Sequence, residues 1–476
     1  MLFNSYAFLL FFAVVLLLHN APLSWRVRKL ILLAASYLFY AAWNPPFVIL
    51  LLISTLIDWI AARGIASARS SGRRRAWLIV SLSANLGILG YFKYGGFFLQ
   101  NFLSAATALG FDVHLAVPSI ILPIGISFYT FQTMSYTIDI YRGQSKPSRS
   151  FLDYALYVTF FPQLVAGPIV RAGEFLHQCV EPKRTTAKNL AWGMMLFVGG
   201  LFQKMVVADL FMSSVVEQVF ESKIAPSFLS AWTGTLAFAV QILCDFAGYS
   251  SCAIGIAMTL GFSLPTNFRF PYAAIGFSDF WRRWHISLST WLRDCLYISL
   301  GGNRQGRLRT HINLMLTMLL GGLWHGAAWR FVVWGGLHGI YLVLERELSK
   351  RSIGRWIVWH RPVGRVLLGA LTFFLVCLTW PFFRADSFSF AWAIVTSMLL
   401  PQRGFELNGL AVNDVLTVFG ITGCVLAVHG FMRSRNVESA VAGVRWWVLG
   451  MALSFMLYAI LCSFAGEDRA FIYFQF

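Results

Sequence analysis

The chain has 476 residues, 58% of them hydrophobic and 12% charged, and its 38 Lys and Arg against 20 Asp and Glu give a net charge of +18. A soluble domain carries about 25% charged residues, and so apolar a chain has more surface to hide than one soluble core can cover. The basic residues fall in short loops between apolar runs, the positive-inside pattern of a membrane protein, which argues against nucleic acid as a partner.

Tyr6 to Leu18 reads as a retained first span, since no basic stretch precedes it and no small-x-small cleavage site follows. Arg26, Arg28 and Lys29 then place its end in the cytoplasm and the N-terminus outside. Leu30 to Trp43 goes out to the turn Asn44-Pro45-Pro46, and Phe47 to Ile60 returns to an arginine-rich loop, Arg63 to Arg75. Trp77 to Phe92 goes out, Phe97 to Leu109 lies at the interface, and Ile120 to Tyr141 comes back to Arg142, Lys146 and Arg149. Tyr154 to Val170 contains Pro162, Gly167 and Pro168, which break a helix, and basic loops on both sides make it re-entrant.

Ala191 to Phe211 and Phe228 to Leu260 form the next pair of spans. The first carries Lys204 and Asp209, expected as a structural pair. The second carries Asp245 and Tyr249, expected to line a cavity, or Asp245 to pair with an arginine such as Arg269. Val366 to Phe383, Val415 to His429 and Trp446 to Cys462 close the chain, and the aromatic C-terminus falls outside as an interfacial end. The expected fold is an all-α polytopic membrane protein: one domain, 1–476, with about a dozen membrane segments around a central cavity.

The unusual stretch is 267–344, the expected catalytic core. Phe277 to Asp294 is amphipathic and too charged to span, so it reads as helix lying in or dipping from the cytoplasmic interface. A glycine-rich basic loop, Gly301 to Arg307, follows. Thr310 to Leu323 would rise only about 21 Å, short of the roughly 30 Å of hydrocarbon. With Phe331 to Leu344 it reads as a pair of short helices meeting inside the membrane, with His325 at the junction beside Gly321, Gly322 and Gly326. Irregular backbone at that depth needs protein or a water-filled cavity around it, so a tunnel should reach His325 from the cytoplasm.

Ionisable groups inside a membrane are expensive and mark function, which singles out His325, then His285, with His338 balanced between structural and functional roles. His19, His114, His360 and His429 lie near span ends or loops and read as interfacial. A metal site from His285, His311, His325 and His338 has no HExxH spacing behind it, and the seven Cys form no CxxC pair, so no metal is expected. Trp324 beside His325 is a cavity candidate. Arg282 and Arg283, in a basic patch that runs to Arg309, suit a phosphate-rich donor, although anionic lipid would be attracted equally.

These residues resemble the membrane-bound O-acyltransferases, and among them the bacterial alginate O-acetyltransferase type. The likeness rests on Phe128 to Gly143 (FYTFQTMSYTIDIYRG), Phe160 to Arg171 (FFPQLVAGPIVR), Asp245 to Ser250 (DFAGYS), Phe277 to Asp294 (FSDFWRRWHISLSTWLRD), Leu319 to Trp329 (LLGGLWHGAAW), Phe382 to Ser387 (FFRADS) and the terminal FIYFQF. Cys295 and Ser299 stand where the pattern has tyrosine and proline. The resemblance implies transfer of acyl groups to hydroxyls, with His325 as the family's membrane histidine and His285 as its second polar catalytic position. A neutral imidazole would take the hydroxyl proton, and a second donor would polarise the thioester carbonyl. It further implies no bound cofactor, acetyl-CoA or another acyl thioester as donor, and a polysaccharide such as alginate as final acceptor. The implied setting is the bacterial inner membrane, beside a periplasmic SGNH-type acetyltransferase partner. D-alanyl transfer to teichoic acid and a proton-coupled transporter or flippase are the alternatives.

Overall fold

The computed structural model describes every residue except His114, Val117, Ser119, Lys223, 352–360, 464–470 and 473–476. The described residues form helices and no strand, and seven helices among them are long and apolar enough to cross a membrane. With polar backbone groups satisfied inside each segment, this is the architecture hydrocarbon permits. Several helices start on a serine whose side chain accepts an N–H of the first turn, as at Ser24, Ser70 and Ser150. The chain divides into two compact units, Met1–Leu196 with Ala253–Pro265, and Phe197–Cys252 with Thr266–Phe476.

In the first unit, α1 (Phe47–Ser67), α2 (Ser71–Leu89) and α3 (Ile126–Tyr141) share a buried polar network. Asp58 accepts from Ser81 and from Asn85 Nδ2 (2.8 Å), and Ser54 and Thr133 both donate to Asn85 Oδ1. Each polar atom buried in apolar surroundings costs free energy unless it is bonded, so the network fixes which faces of the three helices meet. Phe97 to Leu109 is expected as an interfacial segment; the helix there, Gly95–Ala108, follows α2 through a π-helical turn, so helix runs from Ser71 to Ala108. The break expected in 154–170 is present: Phe151–Thr159 ends at Phe160, a single turn follows at Phe161–Leu164, and all of 154–170 is buried. Gln132 and Gln163 both donate to the Tyr157 carbonyl (2.6 and 2.7 Å), replacing helical bonds lost at the break.

The second unit holds most of α4 (Phe228–Thr259), two short helices, α5 (Phe277–Trp281) and α6 (Ile286–Trp291), and the hairpin of α7 (Gly306–His325) and α8 (Trp329–Lys350). The hairpin helices are not the short pair expected. They have 20 and 22 residues, about 30 Å each, because Gly306–Arg309 joins α7 and α8 continues to Lys350. Glycines let them touch backbone to backbone. A Cβ on Gly322 would stand 2.2 Å from the Phe331 carbonyl, and one on Gly335 2.2 Å from that of Met318. Phe388–Leu399 is a helix that the hydropathy reading passed over.

Candidate functional site

His325 is the last residue of α7, followed by the extended Gly326 and Ala328 that turn the chain into α8. The residue is 3% exposed, and its ring packs against Trp324 (5.1 Å between centroids), Trp334 (5.1 Å) and Phe383 (5.3 Å). Of the two described cavities neither is lined by His325, and aromatic rings pack around it.

The segment before His285 explains how a charged, non-spanning stretch reaches this place. Glu345, near the end of α8, accepts the N–H groups of Phe277 and Ser278 and so caps α5. From there the chain runs antiparallel to α8, with Phe277 on Tyr341 (4.5 Å), Trp281 on His338 (5.2 Å) and on Trp334 (5.8 Å). The stretch therefore dips along the hairpin rather than lying flat. At its inner end His285 adopts a left-handed backbone (φ 42°), which only surrounding structure can enforce on a residue with a Cβ.

His285 is fully buried, with Phe246 at 4.6 Å and Trp324 at 5.9 Å. Trp324 thus touches both candidate histidines. Burial among aromatic rings disfavours the charged imidazolium of His285. Its Nδ1 is 3.1 Å from Asn267 Oδ1, which also takes the Ser287 N–H (3.2 Å) and hydroxyl (3.0 Å). His338 is fully buried, and its Nε2–H donates to Thr379 Oγ1 (3.2 Å), whose own hydrogen goes to the Val376 carbonyl.

Asp245 does not pair with Arg269. It meets Lys204 (2.5 Å), which also bridges Asp209 (2.8 Å), and its Oδ2 accepts the Ile472 N–H (2.9 Å). Phe471 packs on Tyr249 (4.9 Å) and on Phe246 (5.4 Å), the residue next to Asp245 whose ring meets His285. Phe471 and Ile472 are buried, so this part of the C-terminus is not the interfacial end expected; 473–476 lie outside the described residues.

Arg282 and Arg283 line a cavity of about 500 Å³ with Arg269, Arg293, Trp281, Ser289 and Thr290. Asp279 is the acidic member, held by Arg283 (3.0 Å) and Arg433 (2.8 Å). Trp281, which lines this cavity, also packs on Trp334, and Trp334 touches His325. The other histidines have local partners: His311 donates to Glu347 (2.9 Å), and His429, read as interfacial, is buried and accepts the Tyr272 N–H (3.2 Å). His19 is likewise buried, while His114 and His360 lie outside the described residues. Among the described residues no three His, Cys, Asp or Glu converge as a metal site.

Asn267, Phe246 and the Asp245–Ile472 bond were not singled out from sequence. Asn267 stood at the start of the unusual stretch, 18 residues from His285, and a lone asparagine between Thr266 and Phe268 carries no periodicity to mark it.

Residues 145–357 match the model of the membrane-bound O-acyltransferase family. The chain is 41% identical to the probable alginate O-acetylase AlgI of Pseudomonas aeruginosa, over 92% of this chain and 82% of that protein. It is 37% identical to the peptidoglycan O-acetyltransferase of Helicobacter pylori, over 94% and 91%. With the teichoic acid D-alanyltransferase of Bacillus subtilis the identity is 26%, over 56% and 69%. The all-helical membrane fold, the buried histidines of α7 and of the dipping segment, and these similarities together make the chain a member of the membrane-bound O-acyltransferase family, an enzyme that transfers acyl groups.

Proposed function

We propose that the enzyme takes acetyl from a cytoplasmic thioester, acetyl-CoA, and moves it across the membrane for O-acetylation of an extracytoplasmic polysaccharide such as alginate. The observation that carries the reading is His325 itself, an imidazole at the α7–α8 junction inside a shell of aromatic rings. In such a water-poor place a neutral ring takes the proton of an attacking hydroxyl. The oxygen attacks the thioester carbonyl, the C–S bond breaks, and the thiol leaves with the proton. The step balances with donor and acceptor alone. The arginine-lined cavity supports a donor that carries phosphates, since guanidinium groups bind them bidentately.

The alginate O-acetylase relatives favour alginate as acceptor, and the 37% identity to a peptidoglycan O-acetyltransferase supports peptidoglycan as the second reading. A periplasmic SGNH-type transferase is the partner expected to complete delivery in the bacterial inner membrane. The test is a gene deletion complemented with wild type or His325→Ala, with alkali-labile acetate measured separately in exopolysaccharide and peptidoglycan. Loss from one polymer, restored by wild type alone, identifies the acceptor. Unchanged acetate in both sinks the reading. Purified enzyme that carries labelled substrate without cleaving acetyl-CoA would point to a transporter instead.

A further inference from the structure

The three donors that converge on Asn267 decide the protonation of His285. The Ser287 backbone N–H can only donate, so the Asn267 side-chain atom 3.2 Å away is the carbonyl oxygen and not the amide nitrogen. The amide nitrogen then points the other way, where Asn267 Nδ2 donates to Ser250 Oγ (3.2 Å). His285 Nδ1, 3.1 Å from the same oxygen, must therefore carry hydrogen. A neutral imidazole has one N–H, so the lone pair is on Nε2. Asn267 also accepts the Ile286 N–H through its backbone carbonyl (2.9 Å), and its grip on Ile286 and Ser287 holds the left-handed turn at His285.

We infer that Asn267 is a positioning residue that fixes His285 as the Nδ1–H tautomer, so that His285 works through its Nε2 lone pair as a proton acceptor and not as the donor that polarises a thioester carbonyl. The tautomer stands on the hydrogen bonds to Asn267 and on the full burial of the ring, which disfavours the doubly protonated form; its catalytic use rests on the acyl-transfer reading. That use places His285 with His325 on the proton-accepting side. The O–H bond of the attacking hydroxyl breaks, the proton moves to an imidazole lone pair, the C–O bond forms, and the proton returns to the departing sulfur as the C–S bond breaks. Polarisation of the carbonyl then falls to a different N–H or O–H group.

The two layers are tested separately. Full-length protein labelled with ¹⁵N-histidine, in nanodiscs, gives imidazole nitrogen signals that are assigned to His285 by their loss in His285→Gln. A protonated Nδ1 and a lone-pair Nε2 at neutral pH are expected. An Nε2–H ring, or averaging between tautomers, overturns the inference even if acyl transfer is real. In the turnover assay, His285→Gln keeps an N–H donor but has no basic nitrogen, and kcat should fall by about 10²-fold or more. Near-normal kcat in that variant overturns the acceptor role. Asn267→Ala should lower kcat with KM unchanged, and Asn267→Asp, which keeps the acceptor oxygen, should restore much of it. An equal loss in both, with the ¹⁵N signature of His285 intact, would reduce Asn267 to a structural part. If wild type shows no turnover with any thioester, the function reading fails while the ¹⁵N result still decides the tautomer.

Discussion

His325 sits where a side chain can be removed without interrupting a helix, because α7 ends on it and extended backbone follows. His325→Ala should therefore insert normally and lose about 10²–10⁴-fold in kcat, with little change in KM for the donor. Initial rates in nanodiscs, normalised to protein recovered from the membrane, check this, and near-normal kcat would remove His325 from the chemistry. His429 is a different case. It is buried against Phe270 and Tyr272 and accepts the Tyr272 N–H, so His429→Ala should lower stability rather than act on the chemistry. Lys204 is the residue whose loss should cost most stability. It compensates both Asp209 and Asp245, and a buried carboxylate left alone costs about 3–5 kcal/mol. Lys204→Met should lower thermal stability in detergent severely, and adding Asp245→Asn should recover part of the loss. If the double variant is no better than the single one, Asp245 is not the group being compensated.

Among the elements, the α7–α8 hairpin depends on glycine. Alanine at Gly322 or Gly335 would drive a methyl into a facing carbonyl, so the helices must separate, at about 1–3 kcal/mol or more. Gly420 and Gly430 face open space, and alanine there should be harmless. Folded yield by size exclusion separates the two classes; equal yields would mean the hairpin has slack that the close contacts deny. At the other end of the hairpin, Glu347 gathers Lys350, His311 and Arg307. Lys350, with His311 and Arg307, holds its carboxyl at about 2, below the ordinary 4.5. A depressed carboxyl contributes stability fully above its unfolded value and loses it as pH falls toward the folded one. The melting-temperature gap between wild type and Glu347→Gln should thus be steady from neutral pH to about 5 and close between 4.5 and 2. A gap that persists unchanged at pH 3 would show that the charge is not what matters there.

At the scale of the whole molecule, the basic loops define an orientation. The loops from Arg26 to Lys29, Arg142 to Arg149, Arg346 to Arg365 and Arg433 to Arg445 should all face the cytoplasm and both termini the outside. Alkaline phosphatase and fluorescent-protein fusions at each end would decide it, and a cytoplasmic C-terminus would break the assignment from Arg346 onward. Composition and run length made the membrane class and the helical fold legible, because hydrocarbon leaves a chain few options and marks each span with its own apolar length. The two histidine stretches were legible too, since charge and imidazole inside an apolar chain stand out against it. What sequence could not give were the encounters between distant segments. Asp245 with Lys204 and with the Ile472 N–H, Asn267 with His285, and Trp324 between two histidines are decided by which helix faces turn toward each other. Hydropathy fixes how deep a residue lies but not its direction around the helix axis. That direction comes from close packing, glycine contacts and the demand that every buried polar group find a partner, which only the folded chain satisfies all at once.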